Sequence, residues 1–132
     1  MSSTRLVAAL MVVEAVTFGV AGYLHLNGRI PLGFATVPGE WLPPATVAES
    51  LIGAMLLAAA VLTLLRVPGS GPFALGALGF GIVGVIVGLS ITASGGRTAD
   101  IAYHVAILAA LIGTLALRLI GTRHPRPVST GA

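Results

Sequence analysis

Hydropathy divides the chain into four long apolar runs, at residues 6–26, 45–65, 73–92 and 101–120. At about 1.5 Å of helix rise per residue, about 20 residues cross a hydrocarbon core of about 30 Å, so each run is long enough to span a membrane. Each run is bounded by charges or helix breakers. Arg5 precedes the first, and Asn27, Gly28 and Arg29 follow it. Pro43 and Pro44 lead into the second, which ends at Arg66 with Pro68 and Gly69 just beyond. Gly95, Gly96 and Arg97 separate the third from the fourth, and Gly121, Thr122 and Arg123 close the last. The pattern predicts an all-α, polytopic membrane protein: one domain over residues 1–121, built as an antiparallel bundle of four transmembrane helices.

Composition strengthens this reading. Of 132 residues, 56% are hydrophobic and 8% charged, with a mean hydropathy of +1.03; soluble domains carry about 25% charged residues. Cysteine is absent, which excludes disulfides, thiolate metal sites and iron–sulfur clusters. All seven basic residues are arginine; with the abundant Ala, Gly, Val and Leu, this points to a GC-rich bacterial genome and hence a bacterial inner membrane. The arginines sit at the ends of the apolar runs rather than in one patch, so they indicate membrane topology and not nucleic-acid binding.

Four spans put both termini on one side, with Arg5, Arg66, Arg118, Arg123 and Arg126 there and Arg29 and Arg97 opposite. The positive-inside rule then places both termini in the cytoplasm. The first run is longer than the apolar region of a signal peptide and is interrupted by Glu14, so it is expected to remain as a span. The segment 122–132 is short and polar and is expected to be a disordered cytoplasmic tail.

Two segments have a distinct texture. In the third run, Ala77, Gly81, Gly84 and Gly88 recur every three or four residues, a small-residue stripe that allows close helix approach. The segment 27–44 is apolar but broken by Gly and Pro, and Trp41 suits the headgroup level. This loop is expected to lie at the interface and to cover the outer mouth of the bundle.

The few polar side chains within the spans are not scattered. Counted from each span's basic end, Glu14 stands about 14 Å into the membrane, His104 about 21 Å, Glu49 about 26 Å and His25 about 30 Å. Asp100 and His104 are four residues apart and share a helix face. Glu14 and His25 are eleven apart and also share a face, with Phe18 and Ala21 between them. Polar groups in membranes face the bundle interior. His25, Glu49, Asp100, Tyr103 and His104 are therefore expected to converge in the outer part of the bundle. Glu14 lies deeper, where a carboxylate costs about 2.5–3.5 kcal/mol on insertion scales, so it needs a partner on another helix.

Several chemistries fit this set. His25, Glu49, Asp100 and His104 are of the types that ligate a transition metal. Two histidines on different helices suit a haem, and His25, Glu49, Tyr103 and His104 suit a quinone head group or another cofactor. Glu14 below them suits a proton relay. No HExxH, paired ExxH or CxxCH motif selects among these. Hydration at the interface, capping of the fourth helix by Asp100 and a structural His–Glu clamp are the competing roles.

The second run with its flanks, LPPATVAESLIGAMLLAAAVLTLLR, resembles the DoxX-like family of small four-span membrane proteins, with Glu49, Gly53 and Arg66 at the family's glutamate, glycine and basic places. GYLHLNGRIPLGFATVPG and ADIAYHVAIL are similar in plan to the first helix with its loop and to the start of the fourth helix, although the family often has a basic residue where this chain has His25. The resemblance implies a four-helix bundle associated with quinone-linked redox assemblies, and it carries over Glu49 alone as a candidate functional position. The expected function is that of an auxiliary subunit of a bacterial membrane redox assembly, whose outer-leaflet site binds a cofactor, metal or quinone. The alternatives are a proton-coupled small transporter using Glu14 and a scaffold without chemistry. The expected partners are the lipid bilayer, redox-complex subunits and a second copy of the chain in a homodimer.

Overall fold

The computed structural model describes residues 3–95 and 98–122. Arg97, Arg123, Arg126 and the expected tail lie outside the described residues, except that the last helix runs through Thr122. Four helices make up the bundle: α1 (Ser3–Leu24), α2 (Pro43–Leu64), α3 (Ser70–Gly95) and α4 (Thr98–Thr122). All four are long and apolar enough to cross a membrane, and the chain is a multi-pass membrane protein of the all-α class.

The helices run up, down, up and down, each packed on its sequence neighbour, and α4 closes the ring against α1. Antiparallel pairing is visible in the close contacts. Gly22 of α1 lies against Thr46 and Ser50 of α2, Gly53 against Ala15 and Phe18, and Gly121 of α4 beside Ser3. The core is small and apolar: Val7, Met11 and Phe18 from α1 meet Leu56, Ala59 and Ala60, with Ala77, Leu78 and Leu111 completing it. Val13, Val47, Val83 and Ile112 are exposed, as expected of residues facing lipid.

The small-residue stripe of α3 serves packing. Gly81 lies against Ile52 and Leu111, Gly84 against Ile52, and Gly88 against His104. The fit is tightest at Gly88, where a Cβ would come within 2.6 Å of the His104 ring; at Gly81 and Gly84 it would press on the ends of aliphatic side chains.

Helix ends follow from local chemistry. Pro43 and Pro44 open α2 where their missing N–H groups cost nothing. Its C-terminus is closed by Arg66 in the left-handed region (φ 57°), with Arg66 N–H bonded to Thr63 O and Val67 N–H to Leu62 O. This is the paired bond pattern of a Schellman cap, with arginine at the place glycine usually takes. The end of α1 repeats it: Asn27 has φ 61°, Asn27 N–H bonds Leu24 O, and Gly28 N–H bonds Tyr23 O.

The connection between α1 and α2 contains a small antiparallel hairpin, β1 (Arg29–Pro31) and β2 (Thr36–Pro38), which the hydropathy pattern does not foresee. Ile30 pairs with Val37, a turn from Leu32 to Ala35 passes through Gly33 at φ 83°, and Leu26 bridges Trp41 beyond the strands. The returning chain is pinned to the end of α1: Glu40 N–H donates to Leu24 O and Leu42 N–H to His25 O. Gly39 makes this possible, because a Cβ there would run into the backbone of Leu24 and Gly28.

Candidate functional site

At the end of the bundle carrying the hairpin, the seam between α1 and α4 opens into a cleft of about 620 Å³. Its walls are Thr17 and Ala21 of α1, His25 just beyond that helix, and Asp100 and Tyr103 of α4. The chain from Val37 to Glu40 roofs it. The loop thus covers part of the bundle's mouth at that end, as a short hairpin rather than an irregular cover.

His25 sits just past the last residue of α1, its N–H still bonded to Ala21 O. The cap at Asn27 and the bond from Leu42 fix this turn, and with it the imidazole. Glu49, on the inner face of α2 and 7% exposed, meets His25 Nδ1 through Oε2 at 2.7 Å. With Nδ1 engaged by the carboxylate, Nε2 is the ring nitrogen left to act as acceptor. Tyr103 stands on the opposite wall. Its hydroxyl is buried and has no hydrogen-bond partner among the described residues, and Glu49 is within electrostatic range of it. Tyr103 lines the cleft, and its hydroxyl, closed off within that wall, keeps an unused donor.

His104 takes a different role from the one expected. Its Nδ1–H donates to the backbone carbonyl of Asp100 one turn earlier at 2.7 Å, and the ring meets Tyr103 edge-on with centroids 5.2 Å apart. Nε2 lies against α3: a Cβ on Gly88 would come within 2.6 Å of it. The expected four-residue metal site of His25, Glu49, Asp100 and His104 is therefore not assembled. Among the described residues no three His, Asp or Glu side chains are grouped to hold a metal ion. The same orientation disfavours a haem held between His25 and His104, since ligation needs an open approach to Nε2 and α3 closes that of His104.

Glu14 is 3% exposed, and its partner is one the sequence did not single out. Thr114 of α4 donates its hydroxyl to Glu14 Oε1 at 2.6 Å, while Oε2 is buried with no partner among the described residues. Thr114 continues the buried line of Ile107 and Leu111 on α4, and a hydroxyl at the end of such a line was the available signal. Thr17 was also missed as a cleft-lining residue; it carries no recognisable motif. Phe18 and Ala21, expected on the face linking Glu14 to His25, are both buried.

No protein-family model, curated protein or solved structure matches this chain. The fold and cleft define its class, a small four-span membrane protein with a largely apolar lateral cleft that carries a few polar side chains.

Proposed function

We propose that this protein is an auxiliary subunit of a bacterial inner-membrane redox assembly. In this reading both termini are cytoplasmic, and the outer-half cleft binds the head group of a quinone-class molecule. The observation that carries the reading is the pairing, across one cleft, of an imidazole oriented by a carboxylate (His25 on Glu49, 2.7 Å) with the unpartnered Tyr103 hydroxyl. A quinone carbonyl accepts from Tyr103 once the ring turns its buried hydroxyl into the cleft, and a quinol hydroxyl donates to Nε2 of His25. The apolar remainder of the walls and the opening between α1 and α4 suit an isoprenoid tail lying in lipid. The DoxX-like resemblance of the second helix, through Glu49, Gly53 and Arg66, supports the redox association and belongs to the same proposal.

Trp41 is the only tryptophan and pairs with Leu26, next to His25, so quinone binding is readable as quenching of its fluorescence. Titration of the purified protein with a short-chain benzoquinone should quench it saturably. His25→Ala and Tyr103→Phe should each weaken the response about tenfold, the loss of one directed hydrogen bond. Quenching that is linear and identical in all three proteins overturns the reading.

The second reading, a proton-coupled transporter acting as a homodimer, is favoured by one observation: the buried, unpartnered Oε2 of Glu14. A carboxyl group in that position can carry a proton. Full proton-coupled transport by Glu14→Gln in proteoliposomes would remove it.

A further inference from the structure

At the opposite end of the bundle, where α1 begins and α4 finishes, the charge is one-sided. Arg5, Arg66 and Arg118 lie there, whereas the only four acidic residues are Glu14 within the bundle and Glu40, Glu49 and Asp100 towards the hairpin end. The sequence after Thr122 contains no Asp or Glu. No acidic side chain of this chain is therefore placed to neutralise an arginine at that end.

Arg118 is the arginine for which this matters. Arg5 and Arg66 are exposed, but Arg118 is half-buried, and its Nε is fully buried without a hydrogen-bond partner among the described residues. Its Nη2 is packed beside Gly71 at the start of α3, 3.0 Å from where a Cβ would sit. Arg118 also lines a small surface cavity of about 40 Å³, together with Ser3, Thr4, Val7, Leu117 and Gly121. One water needs about 10–15 Å³ on this measure, so the space takes a group larger than one water. The cavity presents a guanidinium, two hydroxyls and the first turn of α1, whose amides have no acceptor within the helix.

We propose that this cavity binds the phosphate of an anionic phospholipid from the leaflet on the N-terminal side. A guanidinium beside serine and threonine hydroxyls supplies a positive charge and several N–H and O–H donors, which match phosphate oxygens. Its position at the end of a transmembrane bundle places it at headgroup depth. The same chemistry would accept free inorganic phosphate, and the two sources separate experimentally.

The test is native mass spectrometry of the detergent-purified full chain, titrated with phosphatidylglycerol or phosphatidylcholine, with and without inorganic phosphate. Wild type should retain phosphatidylglycerol in preference to phosphatidylcholine. Arg118→Gln should weaken that binding about tenfold, the effect of losing a charge-assisted hydrogen bond. Arg5→Gln, which does not line the cavity, should leave it unchanged. Ser3→Asp keeps a good residue for a helix N-terminus and places a carboxylate in the cavity, so it should abolish the preference in a folded protein. Competition by inorganic phosphate supports the site with free anion as a second occupant; selective phosphatidylglycerol binding without competition supports the lipid as its source. Wild-type phosphatidylglycerol binding by Ser3→Asp overturns the proposal, whether or not Arg118→Gln folds.

Discussion

Glu14 and Thr114 lie 100 residues apart in the chain, yet their side chains meet at 2.6 Å inside the bundle. The bond joins α1 to α4 across the loosest of the four helix seams, below the cleft. It is a polar tie where the helix surfaces supply least packing.

Thr114→Val should therefore destabilise the bundle by about 1–3 kcal/mol, the cost of leaving a buried acceptor unsatisfied. Glu14→Leu combined with Thr114→Val should cost less than the sum of the single changes, because it removes both partners. Reversible unfolding in mixed detergent micelles measures all three. Strict additivity would show that the two side chains are not energetically coupled.

Gly88→Ala should be poorly tolerated, since its Cβ would fall 2.6 Å from His104 Nε2 while the other ring nitrogen holds the imidazole to Asp100 O. The ring cannot retreat without breaking that bond. His104→Ala should restore room, so the double variant is expected to be more stable than Gly88→Ala alone. Gly84→Ala meets only the end of Ile52, a flexible side chain, and should cost less. Thermal unfolding of the four proteins in detergent ranks them.

These two contacts show what the sequence conveys and what it withholds. The four spans follow from the length of the apolar runs, and the Ala77, Gly81, Gly84 and Gly88 stripe follows from spacing, because helix geometry is local. Depth along the membrane is also local arithmetic, and it brought His25 and Glu49 to one level. Direction is not: His104 shares that region yet satisfies Nδ1 on its own helix, an i to i−4 bond that depth cannot anticipate. Thr114 gave little signal because threonine in an apolar helix commonly bonds its own backbone, as Thr17 does to Val13 O and Thr92 to Gly88 O. The hairpin was hidden because Pro31, Gly33, Pro38 and Gly39 read as breakers, while its pairing depends on the docking of the chain after β2 onto the end of α1.

The docking itself is testable. Gly39→Ala places a Cβ into the backbone of Leu24 and Gly28, so the return strand must lift from α1 and with it the roof of the cleft. Little loss of global stability is expected, because the strands β1 and β2 are exposed or half-buried. Hydrogen exchange should accelerate at the Glu40 and Leu42 amides, whose acceptors are Leu24 O and His25 O. Unchanged protection at both amides would mean the roof does not depend on Gly39.

Tyr103→Phe separates a binding site from a scaffold. If the polar groups around the cleft served only to fix the helices, each would be expected to use its hydrogen bonds within the protein. The His25–Glu49 pair does so, and Glu49→Leu should lower stability by about 1–3 kcal/mol through the unpaired imidazole N–H. Tyr103 does not: its hydroxyl is buried with no partner among the described residues. Replacing it by hydrogen removes a desolvated group that returns no bond, so Tyr103→Phe should unfold at the same temperature as wild type or slightly above it. In the same protein, saturable quenching of Trp41 by a benzoquinone should weaken about tenfold. Stability held and binding lost is the signature of a hydroxyl kept for a ligand. A drop in stability with quenching unchanged would assign Tyr103 to the scaffold.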